Sequence, residues 1–147
     1  MLATPAIAET ISGIVVGISD GDTVTLLDAN RHQHKIRLQG IDAPDPIQPF
    51  GQKSKSNLSA LVFNKEVIAN CGKQDKGHHK LCKIIVKGQD VNLEQVKSGL
   101  AWHHKQYAKD HFPKDREDYE VAEFNAKIRR LGLWADTNPV PPWKWRR

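Results

Sequence analysis

The sequence predicts an α+β domain, a small closed β-barrel with helices packed on it. Short β-rich bursts divided by turn residues fill much of the first half. Helical apolar spacing then appears in three segments, and no internal repeat interrupts the order. A chain of 147 residues suits one domain with a real core. We therefore expect a leader over residues 1–10 and a single domain over 11–147, ending in a proline-rich tail.

Taken in order, "SGIVVGISD" (12–20) and "TVTLLD" (23–28) are rich in β-branched residues and flank the turn "DGD". In "HKIRLQGID" (34–42), Ile36, Leu38 and Gly40 alternate with Lys35, Arg37 and Gln39, as a strand with one buried face requires. Three prolines and a glycine make "DAPDPIQPFG" (42–51) a constrained loop. Residues 54–64 place Leu58, Leu61 and Val62 on one helical face. "EVIANC" (66–71) and "LCKIIVKG" (81–88) read as strands around the polar turn "DKGHHK" (75–80). A second helix begins near residue 91, with Asp90 or Asn92 as cap and Gly99 near its end. A polar loop is expected over 103–116 and a third helix over 117–130, with Tyr119, Ala122 and Ala126 inward and Gly132 as its stop. The tail, with Trp143, Trp145, Arg146 and Arg147, reads as docked chain with exposed charge.

The hydrophobic fraction of 39% and charged fraction of 27% fit a globular protein. No run of about 18 apolar residues occurs, so no membrane span is expected. The net charge of +5 favours polyanionic partners through phosphate neutralisation. In "MLATPAIAET", Ala-Ile-Ala before Glu9 fits a signal-peptidase pattern, so residues 1–8 read as a signal-peptide remnant. That reading places the protein in the periplasm or outside the cell; a disordered alanine-rich leader is the alternative.

Cys71 and Cys82 are the two cysteines. An exported hairpin folded about 75–79 could set them opposite each other for a disulfide. Two buried free thiols, or a zinc site with His78 and His79, are the other possibilities.

Asp20, Asp22, Asp42 and Asp45 fall in two turns at strand ends. If the strands are neighbours, the carboxylates converge, and a hard divalent cation offsets their repulsion. Asp-Gly and Asp-Ala-Pro are also ordinary turn sequences, and spacing alone leaves both readings open.

"DGDTV" (20–24), "IRLQGIDAP" (36–44) and "QPFG" (48–51), in that order, strongly resemble the staphylococcal nuclease family. "VNLEQVKSGLAW" (91–102), "YEVAEFNAKIRRLGLW" (119–134) and the final "PPWKWRR" resemble its secreted Gram-negative members. The resemblance runs over about residues 12–147. It implies a five-stranded OB-type barrel with three helices, and calcium-dependent cleavage of DNA and RNA that leaves a 3′-phosphate. By position it implies Asp22, Asp42 and the Ala43 carbonyl as calcium ligands, Asp20 as an outer acid, and Arg37 on the scissile phosphate. A single-stranded DNA or RNA substrate and a monomeric protein are expected.

Two positions depart from the family pattern. Asp45 stands where the family has a water-activating glutamate, one methylene longer. His79 stands where the family has a second phosphate-binding arginine, and a histidine cannot form an arginine's bidentate fork. Gly77 replaces a tyrosine. Lys76 or Lys80 could supply the missing cation, and Tyr107 could stack on a base. A weakened nuclease with Arg37, Asp45 and His79 in its catalytic set is expected; a catalytically silent nucleic-acid-binding OB-fold is the alternative.

Overall fold

A computed structural model describes residues 9–74, 78–105 and 113–146. The proposed signal remnant at residues 1–8 lies outside them. The first strand, β1 (Glu9–Asp20), is long and pairs antiparallel with two partners. Its C-terminal half pairs with β2 (Thr23–Asp28), and its N-terminal half with β5 (Glu66–Gln74). Register shifts between Val15 and Gly17 and between Ile18 and Asp20 let it curl between them. β2 continues to β3 (Gln33–Leu38), and β5 to β6 (Lys80–Val86). A parallel pairing of β3 with β6, Arg37 opposite Leu81, closes the five strands into the expected OB-type barrel.

Period-two alternation fills the barrel. Val15, Val24, Leu26, Ile36, Leu38 and Ile84 are all buried, while Lys35 is exposed and Arg37 half-buried on the opposite face of β3.

The single strand expected over 34–42 is two. Gly40 adopts φ 86° and turns the chain, and Ile41–Asp42 forms β4, paired with β8 (Trp102–His103). β7 (Gln89–Asp90) is a two-residue edge on β6. The turn at Gly40 sends Asp42 back across the barrel end, where an uninterrupted strand would have carried it away.

Three helices cover the barrel. α1 (Gly51–Val62) starts earlier than its apolar stripe suggests, because Phe50 takes a left-handed φ of 67° and ends the proline loop there. α2 (Val91–Lys97) is capped by Asp90, whose carboxylate accepts from the Leu93 N–H at 3.0 Å. α3 (Pro113–Ile128) also starts earlier than expected, with proline at its first position, where no N–H is needed. Tyr119, Ala122 and Ala126 form its buried stripe, and the Tyr119 hydroxyl donates to Asp90 at 2.8 Å. Beyond a 3₁₀ turn at Gly132–Ala135, the tail adds a short helix, α4 (Pro142–Trp145).

Cys71 and Cys82 are directly paired across β5 and β6 and form a disulfide with Cα atoms 4.0 Å apart. Both are buried, and the bond removes the free-thiol and zinc readings. Constraining so short a loop contributes about 2–3 kcal/mol. Urea unfolding of the Cys71→Ala/Cys82→Ala double variant should show that loss. An unchanged midpoint would mean that the bridge adds nothing.

Candidate active site

The site is built at one end of the barrel from the two predicted turns. In the first, the Asp22 N–H donates to Asp20 Oδ1 at 2.9 Å, and the Thr23 hydroxyl donates to Asp22 Oδ1 at 2.9 Å. Gln95 of α2 holds this turn from beneath: its Nε2 donates to the Gly21 carbonyl at 2.7 Å and the Ser54 carbonyl at 3.0 Å. In the second, the Ala43 N–H donates to Asp22 Oδ2 at 2.7 Å. The Leu38 N–H donates to the Asp22 carbonyl at 2.8 Å, so the first turn is fixed to the end of β3 as well. Asp22 and Asp42 are each only 2% exposed, which is rare for carboxylates that lack partners.

Arg37 reaches this cluster from β3. Thr23 is its Cα partner on β2, which fixes the side chain beside Asp22. Its Nη2 lies 3.1 Å from Asp42 Oδ1 and 3.8 Å from Asp22 Oδ2. At 32% exposure, the guanidinium remains reachable from solvent. Asp20, Asp22, Arg37, Asp42, Ala43 and Asp45 thus belong to one constellation, linked through the contacts of Arg37 and Arg146.

Arg146 is the residue that sequence reading missed. The tail docks, as expected, and Lys144 is exposed, but the Arg146 guanidinium is delivered to the acidic cluster; Arg147 lies outside the described residues. Nε donates to Asp45 Oδ1 at 2.8 Å, and Nη2 lies 2.7 Å from the same oxygen. Nη1 lies 3.2 Å from Asp42 Oδ1 and 3.3 Å from Asp42 Oδ2, and Nη2 is 3.5 Å from the Ala43 carbonyl. The approach is set by Trp143, which packs edge-on against Trp102 and His104 with ring centroids 5.5 and 5.0 Å away. Gln48 Nε2 also donates to the Val140 carbonyl at 2.5 Å, anchoring the tail to the proline loop. The one local sign was a pair of tryptophans just before the arginines, a docked anchor adjoining free charge.

Of the other predicted residues, His79 and Lys80 are described. His79 is half-buried at the entry to β6. Lys80 is engaged by Glu9, Nζ to Oε1 2.9 Å, rather than by the acidic cluster. Lys76 and Tyr107 lie outside the described residues.

The electrostatics of the cluster favour an added cation. Burial, and then the negative charge of Asp22, push the Asp42 carboxyl up to about 7 despite Arg37 and Arg146. Burial and Asp22 likewise raise Asp20 to about 7. Burial also acts to raise Asp22, but the Arg37 charge and the hydrogen bonds from Asp20, Ala43 and Thr23 outweigh it and hold Asp22 low. Crowded, buried carboxylates of this kind are eased by a further positive charge. Among the described residues, no group of three or more His, Cys, Asp or Glu side chains could hold a metal. The set that fits a hard cation is instead two carboxylates and a backbone carbonyl: Asp22, Asp42 and Ala43. The Arg146 guanidinium, a stand-in cation on Asp42 and the Ala43 carbonyl, shows that these oxygens accept positive charge.

A closed five-stranded mixed barrel with three helices and an arginine set among buried carboxylates at its end defines an OB-fold protein of the thermonuclease type. A family model described as staphylococcal nuclease homologue matches residues 35–136, and the chain belongs to that family. It is 47% identical over 134 residues to an "uncharacterized endonuclease" of Haemophilus influenzae, covering 90% of this chain and 71% of the relative. It is 36% identical over 156 residues to a "micrococcal nuclease" of Shigella flexneri, covering 100% of this chain and 86% of the relative. A "staphylococcal-like nuclease" of Arabidopsis thaliana is 34% identical over 113 residues, covering 77% of this chain and 33% of the relative.

Proposed function

We propose that the protein is a calcium-dependent nuclease that hydrolyses phosphodiester bonds of single-stranded DNA and RNA. The observation that carries this reading is the solvent-reachable Arg37 guanidinium, held beside two buried carboxylates at the barrel end. Relatives named endonuclease and micrococcal nuclease support it.

Each residue has a physical task. Arg37 donates to a phosphate oxygen and stabilises charge as the phosphorus becomes five-coordinate. Asp22, Asp42 and the Ala43 carbonyl would hold calcium, which when bound supplies Lewis-acid polarisation of the phosphoryl group. Asp20 orders Asp22 by accepting its N–H and sharing a hydrogen bond with its carboxylate. Asp45 orients the attacking water and accepts its proton, with less reach than a glutamate. The Cys71–Cys82 bond supports an oxidising compartment, periplasmic or extracellular. No helix among the described residues is long and apolar enough to cross a membrane.

The test uses purified protein and an end-labelled single-stranded oligonucleotide, with millimolar calcium or a chelator. Cleavage with calcium and none with chelator is expected, together with a calcium-dependent rise in melting temperature. Intact oligonucleotide at high enzyme and millimolar calcium rejects the proposal.

A second reading, a silent nucleic-acid-binding module, is favoured by one observation. Asp45 Oδ1 is engaged by Nε and Nη2 of Arg146, where a water-activating carboxylate would be expected to face solvent. That reading expects salt-sensitive binding of the oligonucleotide without turnover.

A further inference from the structure

We propose that Arg146 is a second catalytic arginine of this site, delivered by the C-terminal tail to bind the phosphate alongside Arg37. The inference rests on the nuclease reading above.

Arg37 and Arg146 share an acceptor. Arg37 Nη2 and Arg146 Nη1 lie 3.1 and 3.2 Å from the same oxygen, Asp42 Oδ1. Two guanidiniums therefore converge from opposite ends of the sequence on one small volume, within reach of one phosphate group. Their side chains are 32% and 38% exposed, so both can be approached from solvent. Phosphoryl transfer spreads negative charge over the non-bridging oxygens as the nucleophile attacks, and one arginine serves only part of that charge. Forked donors fixed beforehand stabilise it best.

The placement of Arg146 is built. Pro142 is buried and opens α4, Trp143 packs on Trp102 and His104, and Gln48 holds the Val140 carbonyl. Asp45 then fixes the guanidinium through Nε and Nη2, both on Oδ1, so Oδ2 is the oxygen that would serve the attacking water. The bonds to Asp42 and the Ala43 carbonyl use the oxygens assigned to the cation, so cation and arginine compete for those two acceptors. The pair with Asp45 does not depend on them. Arg146 thus has one fixed partner and one exchangeable set, as expected of a side chain that passes from protein oxygens to phosphate oxygens.

The test compares the full-length protein with Arg146→Ala and Arg146→Lys, using a single-stranded oligonucleotide at saturating calcium. Calcium affinity is measured separately by calorimetry without nucleic acid. Arg146→Ala should lower kcat on the order of a hundredfold, the usual effect of losing one preorganised transition-state donor. Arg146→Lys should recover little, because an ammonium cannot fork. Added guanidinium ion should restore part of the activity of Arg146→Ala, which disruption of the tail would not permit. Calcium should bind Arg146→Ala more tightly, since two of its ligands lose a competitor.

An unchanged or raised kcat in Arg146→Ala, in a preparation whose wild type cleaves, overturns this inference and leaves the nuclease reading standing. Tighter calcium binding with unchanged kcat makes Arg146 a plug only, and also overturns it. A wild type that does not cleave overturns the nuclease reading, and this inference with it.

Discussion

Cleavage by the Arg37→Ala variant should fall by at least on the order of 10²–10³-fold in kcat, with little change in KM beyond the loss of phosphate binding. Its guanidinium is 3.1 Å from Asp42 and 3.8 Å from Asp22, at the point where phosphate charge must be met. Because Arg37 also opposes the crowding of Asp42 and Asp22, its removal costs native stability as well. Arg37→Lys separates the two effects. It retains a positive charge beside the carboxylates, so its urea midpoint should stay closer to wild type than that of Arg37→Ala. Its activity should remain low, because lysine offers a point charge in place of a planar fork. Wild-type rates in Arg37→Lys would show that only charge matters at this position. Wild-type rates in Arg37→Ala would remove Arg37 from the chemistry.

The second large effect is expected at Gly21, inside the first acidic turn. A Cβ there would lie 1.8 Å from Ser54 Oγ and 2.8 Å from Ala43 Cβ. Ser54 cannot easily yield: it is fully buried, and its Oγ donates to the Leu100 carbonyl at 2.6 Å. Gly21→Ala must therefore separate the Asp20–Asp22 turn from α1 and from Ala43. Overpacking of this kind typically costs about 1–3 kcal/mol. The same movement strains the bond between the Ala43 N–H and Asp22, so calcium affinity should fall along with stability. Ser54→Ala removes the closest clash, and the stability penalty of Gly21→Ala should shrink in that background. Additive penalties in the double-mutant cycle would show that the two residues do not press on each other.

Much of this architecture was legible from local pattern. Val24, Leu26, Ile36 and Leu38 alternate in sequence and are buried in the barrel, and Asp90 caps α2 as its position suggested. The turn at Gly40 was less legible. Alternation runs through Ile36, Leu38 and Gly40, and only the paired structure shows that the chain bends at φ 86° to form β4. Helix starts were misplaced for a related reason. Apolar spacing marks a helix's buried face, whereas α1 begins where left-handed Phe50 ends a proline loop and α3 begins at Pro113.

At the site, the two acidic turns and Arg37 could be found because each sits in a short motif with its own chemistry. Arg146 could not. It meets Asp42 across 104 positions and Asp45 across 101, and its path depends on how Trp143 packs against Trp102 and His104. No periodicity carries that information. The segment "WKWRR" has the same composition whether Arg146 lies in solvent or among carboxylates.

The parallel seam between β3 and β6 has a kinetic consequence. Two of the barrel's ladders join strands far apart along the chain: β1 with β5, and this seam, which brings Ile36, Arg37 and Leu38 to Lys80, Leu81 and Cys82. Closing it requires a long loop, so it belongs among the late steps of folding. The Cys71–Cys82 bond ties β5 to β6, the strand that meets β3 at the seam. Arg37 lies on the seam itself, opposite Leu81. With the seam open, β3 keeps only its β2 partner, so the strand that carries Arg37 would be held along one edge alone.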